Sequence, residues 1–275
     1  MFWLLNTCVS GYGRYGKRSV PNTLTRRLTL MKRKKAALLR ATQSGNTTNV
    51  VNIADNSKYQ KRPRVQIYPK NLNQENYLIK LNNTEKMIIF AIGPAGTGKT
   101  LLAVQWAIDQ LKYGDATRIV ITRPAVSVDE DHGFLPGDLN QKMEPWTKPI
   151  MDVFSENYNA RELENMIREG VIETSPLAYM RGRTFKNAVI IADEMQNATP
   201  SQMKMLLTRL GQGSKMIVTG DLQQADRPTN NGLLEFLKLY NNFANHRYVD
   251  LCEFTISDIE RHEAVKEVLS IYGDY

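Results

Sequence analysis

Cysteine is scarce in this sequence, because Cys8 and Cys252 are the only two among 275 residues. Two cysteines exclude a disulfide framework and a cysteine-based zinc cluster, and they favour a reducing, cytoplasmic setting. Long apolar runs are also absent, since no stretch approaches the roughly 18 residues that a membrane span requires. The run Phe2–Leu5 is too short for the apolar region of a secretory signal. The chain is therefore not expected to act in a membrane.

Acidic residues are absent from the first part of the chain, where Asp55 is the first carboxylate. Residues 1–86 contain 17 Lys and Arg but only 3 Asp and Glu, whereas residues 87–275 contain 19 and 25. The formal net charge of +8 thus combines a strongly basic segment with a mildly acidic remainder. Polar, basic composition without periodicity predicts a disordered extension over residues 1–62, followed by a folded domain over residues 63–275.

Several explanations compete for the basic extension, and its composition leaves them open. It is a nucleic-acid-binding tail if Lys32–Lys35, its densest basic run, contacts phosphates. It is a transit peptide, and the protein is targeted to an organelle, if the Arg- and Ser-rich, acid-poor composition is a targeting signal. Residues 1–30 do not belong to the protein if Met31 is the true start. A tail that only improves solvation is the simplest alternative.

A glycine-rich motif lies between an apolar run of strand length and a segment with helical spacing. Residues 93–100 fit the pattern G-x-x-x-x-G-K-[ST], with Met87–Ile92 before them and Leu101–Leu111 after them. In this context the motif predicts a P-loop, because the backbone N–H groups of such a turn surround the β-phosphate of a nucleoside triphosphate. Lys99 would reach the β and γ oxygens, and the hydroxyl of Thr100 would ligate Mg²⁺. The predicted Walker A residues are Gly93, Pro94, Ala95, Gly96, Thr97, Gly98, Lys99 and Thr100.

An acidic pair follows a second apolar run, Lys186–Ala192. Carboxylates at the carboxyl end of a parallel strand lie where α/β folds bind their ligands. Asp193 is expected to hold Mg²⁺ through a water molecule, and Glu194 to orient and deprotonate the attacking water. Alone, such a pair is often only the start of a helix. Because it follows a P-loop, we interpret it as a Walker B motif, which predicts a Mg²⁺-dependent ATP hydrolase.

A third apolar run, Met216–Gly220, ends at Asp221, with Gln223 close behind. A polar side chain at this position is expected to sense the γ-phosphate and to transmit hydrolysis to a neighbouring surface. The alternative is that Asp221 only caps the segment that follows it. The two preceding motifs favour the first interpretation, so Asp221 is counted among the predicted catalytic residues.

Strand-like and helix-like segments alternate along residues 65–272, which predicts an α/β domain with a parallel sheet covered by helices on both faces. The strand-like segments are Val65–Tyr68, Met87–Ile92, Arg118–Thr122, Val171–Thr174, Lys186–Ala192, Met216–Asp221 and Arg247–Phe254. The helix-like segments are Asn73–Leu81, Leu101–Leu111, Leu139–Asn157, Ala160–Glu169, Pro200–Leu210 with Thr199 as its N-cap, Gly232–Tyr240 and Ser257–Tyr272. Between them, Asp129–Asp138 is predicted to be a loop.

Several further segments match those of a known protein family. They are Phe90–Thr100, Thr122–Val126, Gly133–Asp138, Ala178–Thr184, Asp193–Pro200, Gln202–Met205, Thr208–Gly211, Ser214–Met216 and Val218–Asp221. With these segments, residues 73–272 resemble the PhoH family of P-loop ATPases. The resemblance implies a single RecA-like domain, similar to the first motor domain of superfamily 1 helicases, that binds ATP and acts with nucleic acid, above all RNA. It also implies assembly into a homo-oligomeric ring, a hexamer.

The resemblance also implies roles for residues outside the three motifs. Gln74 would read the amino edge of adenine, with Tyr77 nearby for stacking; the alternative is that both lie on one face of an amphipathic helix. Arg181 and Arg183 are guanidinium groups in a loop of no obvious core use. Arg183 and Arg261 are candidates for an arginine that completes the site of a neighbouring subunit and neutralises charge on the transferred phosphoryl group. The alternative for each arginine is an ordinary salt bridge.

Two differences from the family limit what the resemblance implies. Helicases translocate with two motor domains or a ring, and this chain has room for one such domain. Longer family members carry a nuclease domain, whose carboxylate cluster has no counterpart in this sequence, so no RNase activity is expected.

Three functions therefore compete. The first is an ATPase that acts with RNA or other single-stranded nucleic acid, and the second is a nucleotide-gated switch or adaptor that acts on a partner protein. The third is a small-molecule kinase, but Glu194 argues against it because a kinase must avoid activating water. Turnover that nucleic acid stimulates would separate the first function from the second.

Overall fold

The computed structural model describes residues 64–124, 139–226 and 229–272. The predicted basic extension over residues 1–62 and the predicted loop Asp129–Asp138 lie outside the described residues. Within the described ranges, no helix is long and apolar enough to span a membrane.

A six-stranded parallel sheet forms the centre of the described domain. Its strands are β1 (Ile88–Ile92), β2 (Arg118–Arg123), β3 (Ile172–Pro176), β4 (Ala188–Ala192), β5 (Lys215–Gly220) and β6 (Val249–Glu253). The central strands are rich in Ile, Val and Ala, which suit strands that are buried on both faces. The spatial order is β3-β2-β4-β5-β1-β6, so β5 lies between β1, which precedes the P-loop, and β4, which precedes the acidic pair.

Seven α-helices accompany the sheet in the described residues. They are α1 (Leu72–Asn82), α2 (Lys99–Tyr113), α3 (Leu139–Ser155), α4 (Ala160–Arg168), α5 (Pro200–Leu207), α6 (Gly232–Asn242) and α7 (Glu263–Tyr272). Thr199 is the N-cap of α5, as predicted: its hydroxyl accepts from the backbone N–H of Gln202, whose side chain accepts from the N–H of Thr199. Asn71 caps α1 and Asn231 caps α6, and the side-chain oxygen of each accepts from the backbone N–H three residues later.

The helices cover both faces of the sheet, because each face carries its own apolar core. Alternate residues of β1 point to opposite faces, so that Ile89 joins one core and Phe90 the other. The first core packs against α1, α2 and α3, with Trp106 and Phe154 among its large side chains. The second core packs against α5 and α6 and includes Met203. The predicted fold class, an α/β domain with a parallel sheet covered by helices on both faces, is confirmed.

The predicted strand Val65–Tyr68 is wrong, because this segment runs as an extended loop. Both edges of the sheet are formed by other strands, β3 and β6, and the segment lies instead beside α2. There the backbone N–H of Val65 donates to Oδ1 of Asp109 at 3.0 Å. Alternating apolar and polar residues therefore give an extended chain here, but no ladder partner is within reach.

The predicted helix Ser257–Tyr272 begins later than expected, at Glu263. Before it, Ile256–Asp258 forms a 3₁₀ turn, which Asp258 closes by accepting from the backbone N–H of Thr255 at 2.7 Å. Oδ2 of Asp258 also accepts from Nδ2 of Asn73 in α1 at 2.8 Å. These contacts hold the segment between the turn and α7 against the P-loop, where the N–H of Glu260 donates to the carbonyl of Gly96 at 3.0 Å.

Candidate active site

The P-loop connects β1 to α2 at the carboxyl edge of the sheet. Gly93 has φ of +142° and packs closely against the residue that follows β6. A Cβ added to Gly93 would lie 2.3 Å from the carbonyl oxygen of Phe254. Gly98 is in the left-handed region, with φ of +82°, and serves as the N-cap of α2. Both positions require glycine, since a side chain would meet backbone at the first and strain at the second. The loop thus turns its backbone N–H groups around the start of α2, the geometry that binds phosphate.

Lys99 lies inside this loop and is only 8% exposed. Its ammonium donates to the carbonyl oxygens of Gly93 at 2.7 Å and Pro94 at 2.6 Å, and it lies 3.4 Å from the hydroxyl of Thr97. Burial lowers the pKa of Lys99, and the nearby carboxylates, above all Asp221, act in the opposite sense. The ammonium therefore lies where the loop would surround a triphosphate.

Thr100 and Asp193 meet although they are far apart in sequence. The hydroxyl of Thr100 donates to Oδ1 of Asp193 at 2.7 Å, and the hydroxyl of Thr219 donates to the same oxygen at 2.5 Å. Asp193 is 6% exposed, and its backbone N–H donates to the carbonyl of Thr122 at 2.9 Å. Because β5 lies between β1 and β4, Thr219 at its end reaches the same Asp193 oxygen as Thr100 of the P-loop.

The oxygen ligands at this point fit Mg²⁺. A hydroxyl and a carboxylate are hard ligands, and Mg²⁺ commonly binds through one or two protein oxygens together with substrate phosphates and water. In the described part of the chain, no group of three or more His, Cys, Asp and Glu side chains is placed to hold a metal on its own. Thr100 and Asp193 are therefore the residues that would hold the ion.

Glu194 takes an unusual backbone conformation, with φ of +54° in the left-handed region. One carboxylate oxygen accepts from Nε2 of Gln196, and the other lies 3.3 Å from Nη2 of Arg123. Oε1 of Gln196 in turn accepts from the backbone N–H of Asp221 at 3.1 Å. The predicted base is thus connected to β2 through Arg123 and to the end of β5 through Gln196.

Asp221 shows the capping geometry that was the alternative to a sensing role. Its Oδ1 accepts from the N–H of Gln223 at 3.0 Å and begins the 3₁₀ turn Leu222–Gln224. Asp221 also lines the cleft beside the P-loop, so capping and sensing are compatible.

Gln74 contacts the P-loop directly. Its Nε2 donates to the carbonyl of Thr97 at 3.1 Å, and its Oε1 accepts from the N–H of Lys70 at 2.8 Å. Both ends of the amide are therefore engaged, and a role in reading adenine stays a prediction. The predicted stacking role of Tyr77 is wrong, because this ring is fully buried and packs edge-on against Phe254, with the ring centroids 5.7 Å apart.

The structure places the two candidate arginines in different surroundings. The side chain of Arg261 lies over the P-loop of its own chain: a Cβ added to Gly96 would be 2.7 Å from its Nε. Arg183 instead pairs with Glu173 through both of its terminal nitrogens, Nη1 and Nη2, and lies over the ring of Phe185, 4.6 Å from its centroid. The hydrogen bond from Arg183 lowers the pKa of Glu173. Arg183 thus has a structural salt bridge, and the assignment of either arginine to a neighbouring subunit stays a prediction.

A cleft of about 530 Å³ joins these residues. Sequence reasoning missed two residues of its lining, Thr219 and Tyr68, whose ring is exposed. It also missed Arg123, which pairs with Glu194 from outside the lining. Arg123 and Thr219 lie inside matched family segments, but only the strand order shows which side chains they meet. Besides the P-loop, the lining includes Gln66, Tyr68, Lys70, Gln74, Gln105, Asp193, Glu194, Thr219, Asp221, Gln224 and Glu260.

Two solved structures show a distant similarity. The SWI2/SNF2 ATPase core of Sulfolobus solfataricus in complex with double-stranded DNA gives a TM-score of 0.37 at 16% identity, covering 59% of this chain and 34% of that one. The Pif1 helicase of Candida albicans gives 0.32 at 13% identity, covering 69% and 41%. Both scores are too low to add to the description of the fold.

The similarity to other proteins is much closer at the level of sequence. The family model described as "PhoH-like protein" matches residues 66–273. A PhoH-like protein of Bacillus subtilis is 43% identical over 205 residues, which are 74% of this chain and 63% of that protein. A PhoH-like protein of Mycobacterium tuberculosis strain H37Rv is 44% identical over 212 residues, covering 76% and 58%, and the protein PhoH of Escherichia coli K12 is 40% identical over 211, covering 75% and 58%. The chain thus spans about 60% of the length of these relatives, and it belongs to the PhoH family.

Proposed function

We propose that this protein is a Mg²⁺-dependent ATPase that acts with nucleic acid, above all single-stranded RNA. One observation carries the ATPase part: the hydroxyl of Thr100 lies 2.7 Å from the carboxylate of Asp193 inside the P-loop cleft, with Glu194 next in the chain. The residues proposed to bind phosphate, to hold magnesium and to act as the base therefore lie together in one cleft. This combination is what phosphoryl transfer to water requires.

Each residue has a distinct task in this proposal. The backbone of the P-loop binds the phosphates, and the ammonium of Lys99 moves from the loop carbonyls to the β and γ oxygens. Mg²⁺, held by Thr100 and Asp193, would neutralise charge on those oxygens. Glu194 accepts the proton of the attacking water. Asp221 senses the γ-phosphate and transmits its loss through the hydrogen bond from its N–H to Gln196.

Nucleic acid is proposed as the effector for two reasons. The first 86 residues carry 17 Lys and Arg against 3 Asp and Glu, which suits binding to phosphate backbones. The segments Asp193–Gln196 and Gly220–Gln224 resemble helicase motifs, and the structure connects them through the hydrogen bond from the N–H of Asp221 to Gln196. A homo-oligomeric ring, a hexamer, is part of the proposal because a single motor domain needs neighbours to translocate.

A nucleotide-gated switch is the second candidate, and a specific observation favours it. Both carboxylate oxygens of Glu194 are engaged, by Arg123 and Gln196, and a base held in this way would support only slow hydrolysis. The bound triphosphate would then persist long enough to hold one conformation towards a protein partner.

The first experiment is steady-state ATP hydrolysis with Mg²⁺ on the full chain, with and without single-stranded RNA. Lys99→Ala is expected to weaken ATP binding about a hundredfold, since it removes a buried charge that contacts phosphate. Glu194→Gln is expected to keep ATP binding and lower kcat about 10²- to 10⁴-fold. RNA-stimulated turnover that Glu194→Gln removes supports the nucleic-acid ATPase. Slow turnover that is indifferent to RNA supports the switch, and full turnover in Glu194→Gln contradicts the assignment of the base.

A further inference from the structure

A second concave surface lies away from the ATP cleft. The loop that follows β3 faces the first turns of α5, and together they form a pocket of about 360 Å³. We call these residues, with Tyr179 beside them, the β3–α5 surface. None of the residues that line this pocket also lines the cleft beside the P-loop. The pocket is lined by Ala178, Arg181, Ser201, Gln202 and Met205.

The chain that builds this surface carries only positive charge. Residues 174–192 and 195–220 contain no Asp or Glu, whereas residues 87–275 as a whole contain more Asp and Glu than Lys and Arg. An acid-free region within an acidic domain creates a local positive potential and attracts polyanions. The basic residues of the two segments are Arg181, Arg183, Lys186, Lys204, Arg209 and Lys215. Lys215 does not contribute to this surface, because its ammonium donates to the carbonyl of Leu81 in α1, on the other face of the sheet.

Arg181 and Arg183 differ although only Gly182 separates them. Arg183 is neutralised by Glu173 and packs on Phe185. Arg181 is exposed, and it forms no hydrogen bond or ion pair with any residue that the structure describes. Gly182, with φ of +78°, lets the chain turn between the two side chains. Arg181 is therefore a cation whose charge is available to a ligand.

An exposed aromatic residue precedes this free cation by two positions in the chain. Tyr179 is 59% exposed, so its ring is accessible to a ligand. Arg181 and Ser201 line the same pocket, and Tyr179 is two residues from Arg181. Such a ring can stack a base while the guanidinium and the hydroxyl contact the neighbouring phosphate. A duplex hides the faces of its bases, so this combination favours single strands.

We propose that the β3–α5 surface binds single-stranded nucleic acid, with a base stacked on Tyr179 and the adjacent phosphate held by Arg181 and Ser201. This inference rests on the proposed function, and it names the place on the domain where the nucleic acid lies. The surface is also connected to the catalytic base, because the chain runs directly from Glu194 to Thr199, the N-cap of α5. Strand binding at α5 can therefore bias the position of Glu194.

A matched pair of double variants tests the proposal. Tyr179→Ala/Arg181→Ala removes the ring and the free charge, while Arg247→Ala/Tyr248→Ala removes the same residue types before β6, where Arg247 lies over the Tyr248 ring at 5.2 Å. The Tyr248 ring is 53% exposed, so both double variants delete exposed groups and are expected to fold. Melting curves and ATP binding, both expected to match the wild type, verify this.

Binding is measured by fluorescence anisotropy of the full chain with a labelled single-stranded RNA of about 12 nucleotides. The Tyr179/Arg181 variant is expected to bind about tenfold or more weakly, and its slope of log affinity against log salt is expected to fall by about 0.7. The Arg247/Tyr248 variant is expected to bind like the wild type. Photocrosslinking of a 4-thiouridine RNA is expected to label the peptide that contains Tyr179, which separates this surface from the basic extension.

Several results would overturn the proposal. Equal affinity of the Tyr179/Arg181 variant and the wild type would do so, as would crosslinks confined to residues 1–62 or equally tight binding of a duplex of the same sequence. RNA binding that needs Tyr179 without any stimulation of ATP hydrolysis would leave this surface in place and contradict the RNA-coupled ATPase. RNA-stimulated hydrolysis that survives in the Tyr179/Arg181 variant would support the RNA-coupled ATPase and contradict the β3–α5 surface as the RNA-binding site.

Discussion

At the residue scale, Glu194 stands out because neighbouring side chains hold both of its carboxylate oxygens. Arg123 approaches one oxygen from the end of β2, and Gln196 donates to the other. Arg123 also donates to the carbonyl of Trp146 in α3 at 3.3 Å, so its guanidinium has a fixed position. The proposed base is therefore restrained, and the proposed hydrolysis requires that at least one of these contacts be exchanged for water.

Arg123→Gln is expected to raise the kcat of ATP hydrolysis measured without RNA by about fivefold. A partly exposed ion pair contributes up to about 1 kcal/mol, and loss of that restraint lowers the cost of moving Glu194 towards the attacking water. The KM for ATP should change little, because Arg123 does not line the cleft. The matched control is Arg118→Gln at the opposite end of β2. A fall in kcat would show that Arg123 orients Glu194 for attack and does not restrain it.

At the element scale, local pattern predicted most strands and helices but not the order of the strands. Apolar runs followed by polar turns identified the P-loop and the acidic pair, since these depend on a strand and the residues next to it. The convergence of Thr100 and Thr219 on one oxygen of Asp193 depends on β5 lying between β1 and β4, which periodicity does not encode. The burial of Tyr77 was missed for the same reason, because α1 turns this ring towards Phe254 near the end of β6.

The absence of acidic residues from 174–192 and 195–220 was visible in the sequence but became informative only in the fold. The two segments are separated only by Asp193 and Glu194, which line the cleft beside the P-loop, so in the sequence they form one interrupted stretch. The structure shows that the loop after β3 and the first turns of α5 face each other across a pocket. The sequence thus shows that these segments carry only positive charge, whereas only the tertiary contacts show that they form the β3–α5 surface.

The thiol of Cys252 is buried where β6 packs against α1, and this burial predicts that the stability of the protein depends on pH. Burial raises the pKa of Cys252 in β6 to about 11, from the ordinary thiol value of 9.0. Between these values the folded protein keeps a proton that the unfolded chain releases, so the free energy of unfolding falls as pH rises from about 9 to about 11. Lys215, whose pKa burial lowers to about 8, has the opposite effect over part of this range.

The difference between the wild type and Cys252→Ala isolates the thiol from Lys215. Urea unfolding at a series of pH values is expected to show that the wild type loses stability relative to Cys252→Ala above about pH 9. Cys252 is 5% exposed, so iodoacetamide at pH 8 should modify it only after unfolding. A constant difference in stability across this pH range would contradict the assigned burial.

At the scale of the whole molecule, the central question is whether one domain contains a complete catalytic site. The P-loop, the acidic pair, Thr219 and Asp221 all line one cleft of the same chain. Arg261 adds a guanidinium from the segment before α7, which the bond from the N–H of Glu260 to the carbonyl of Gly96 holds on the P-loop. A proposed ring would therefore supply translocation and coupling, while the residues proposed to bind phosphate and to activate water lie within each subunit.

Mixing two inactive variants tests whether Arg261 acts within its own subunit. In a mixture of Arg261→Ala and Glu194→Gln, no subunit carries both groups, but a ring would place an intact Arg261 beside some intact Glu194. Since Arg261 lies on the P-loop of its own chain, the mixture is expected to stay inactive. Light scattering of the wild type with Mg²⁺ and ATP establishes whether a hexamer forms under the same conditions. Recovery of hydrolysis in the mixture would show that Arg261 reaches across a subunit interface, and its place beside Gly96 would then describe only the isolated subunit.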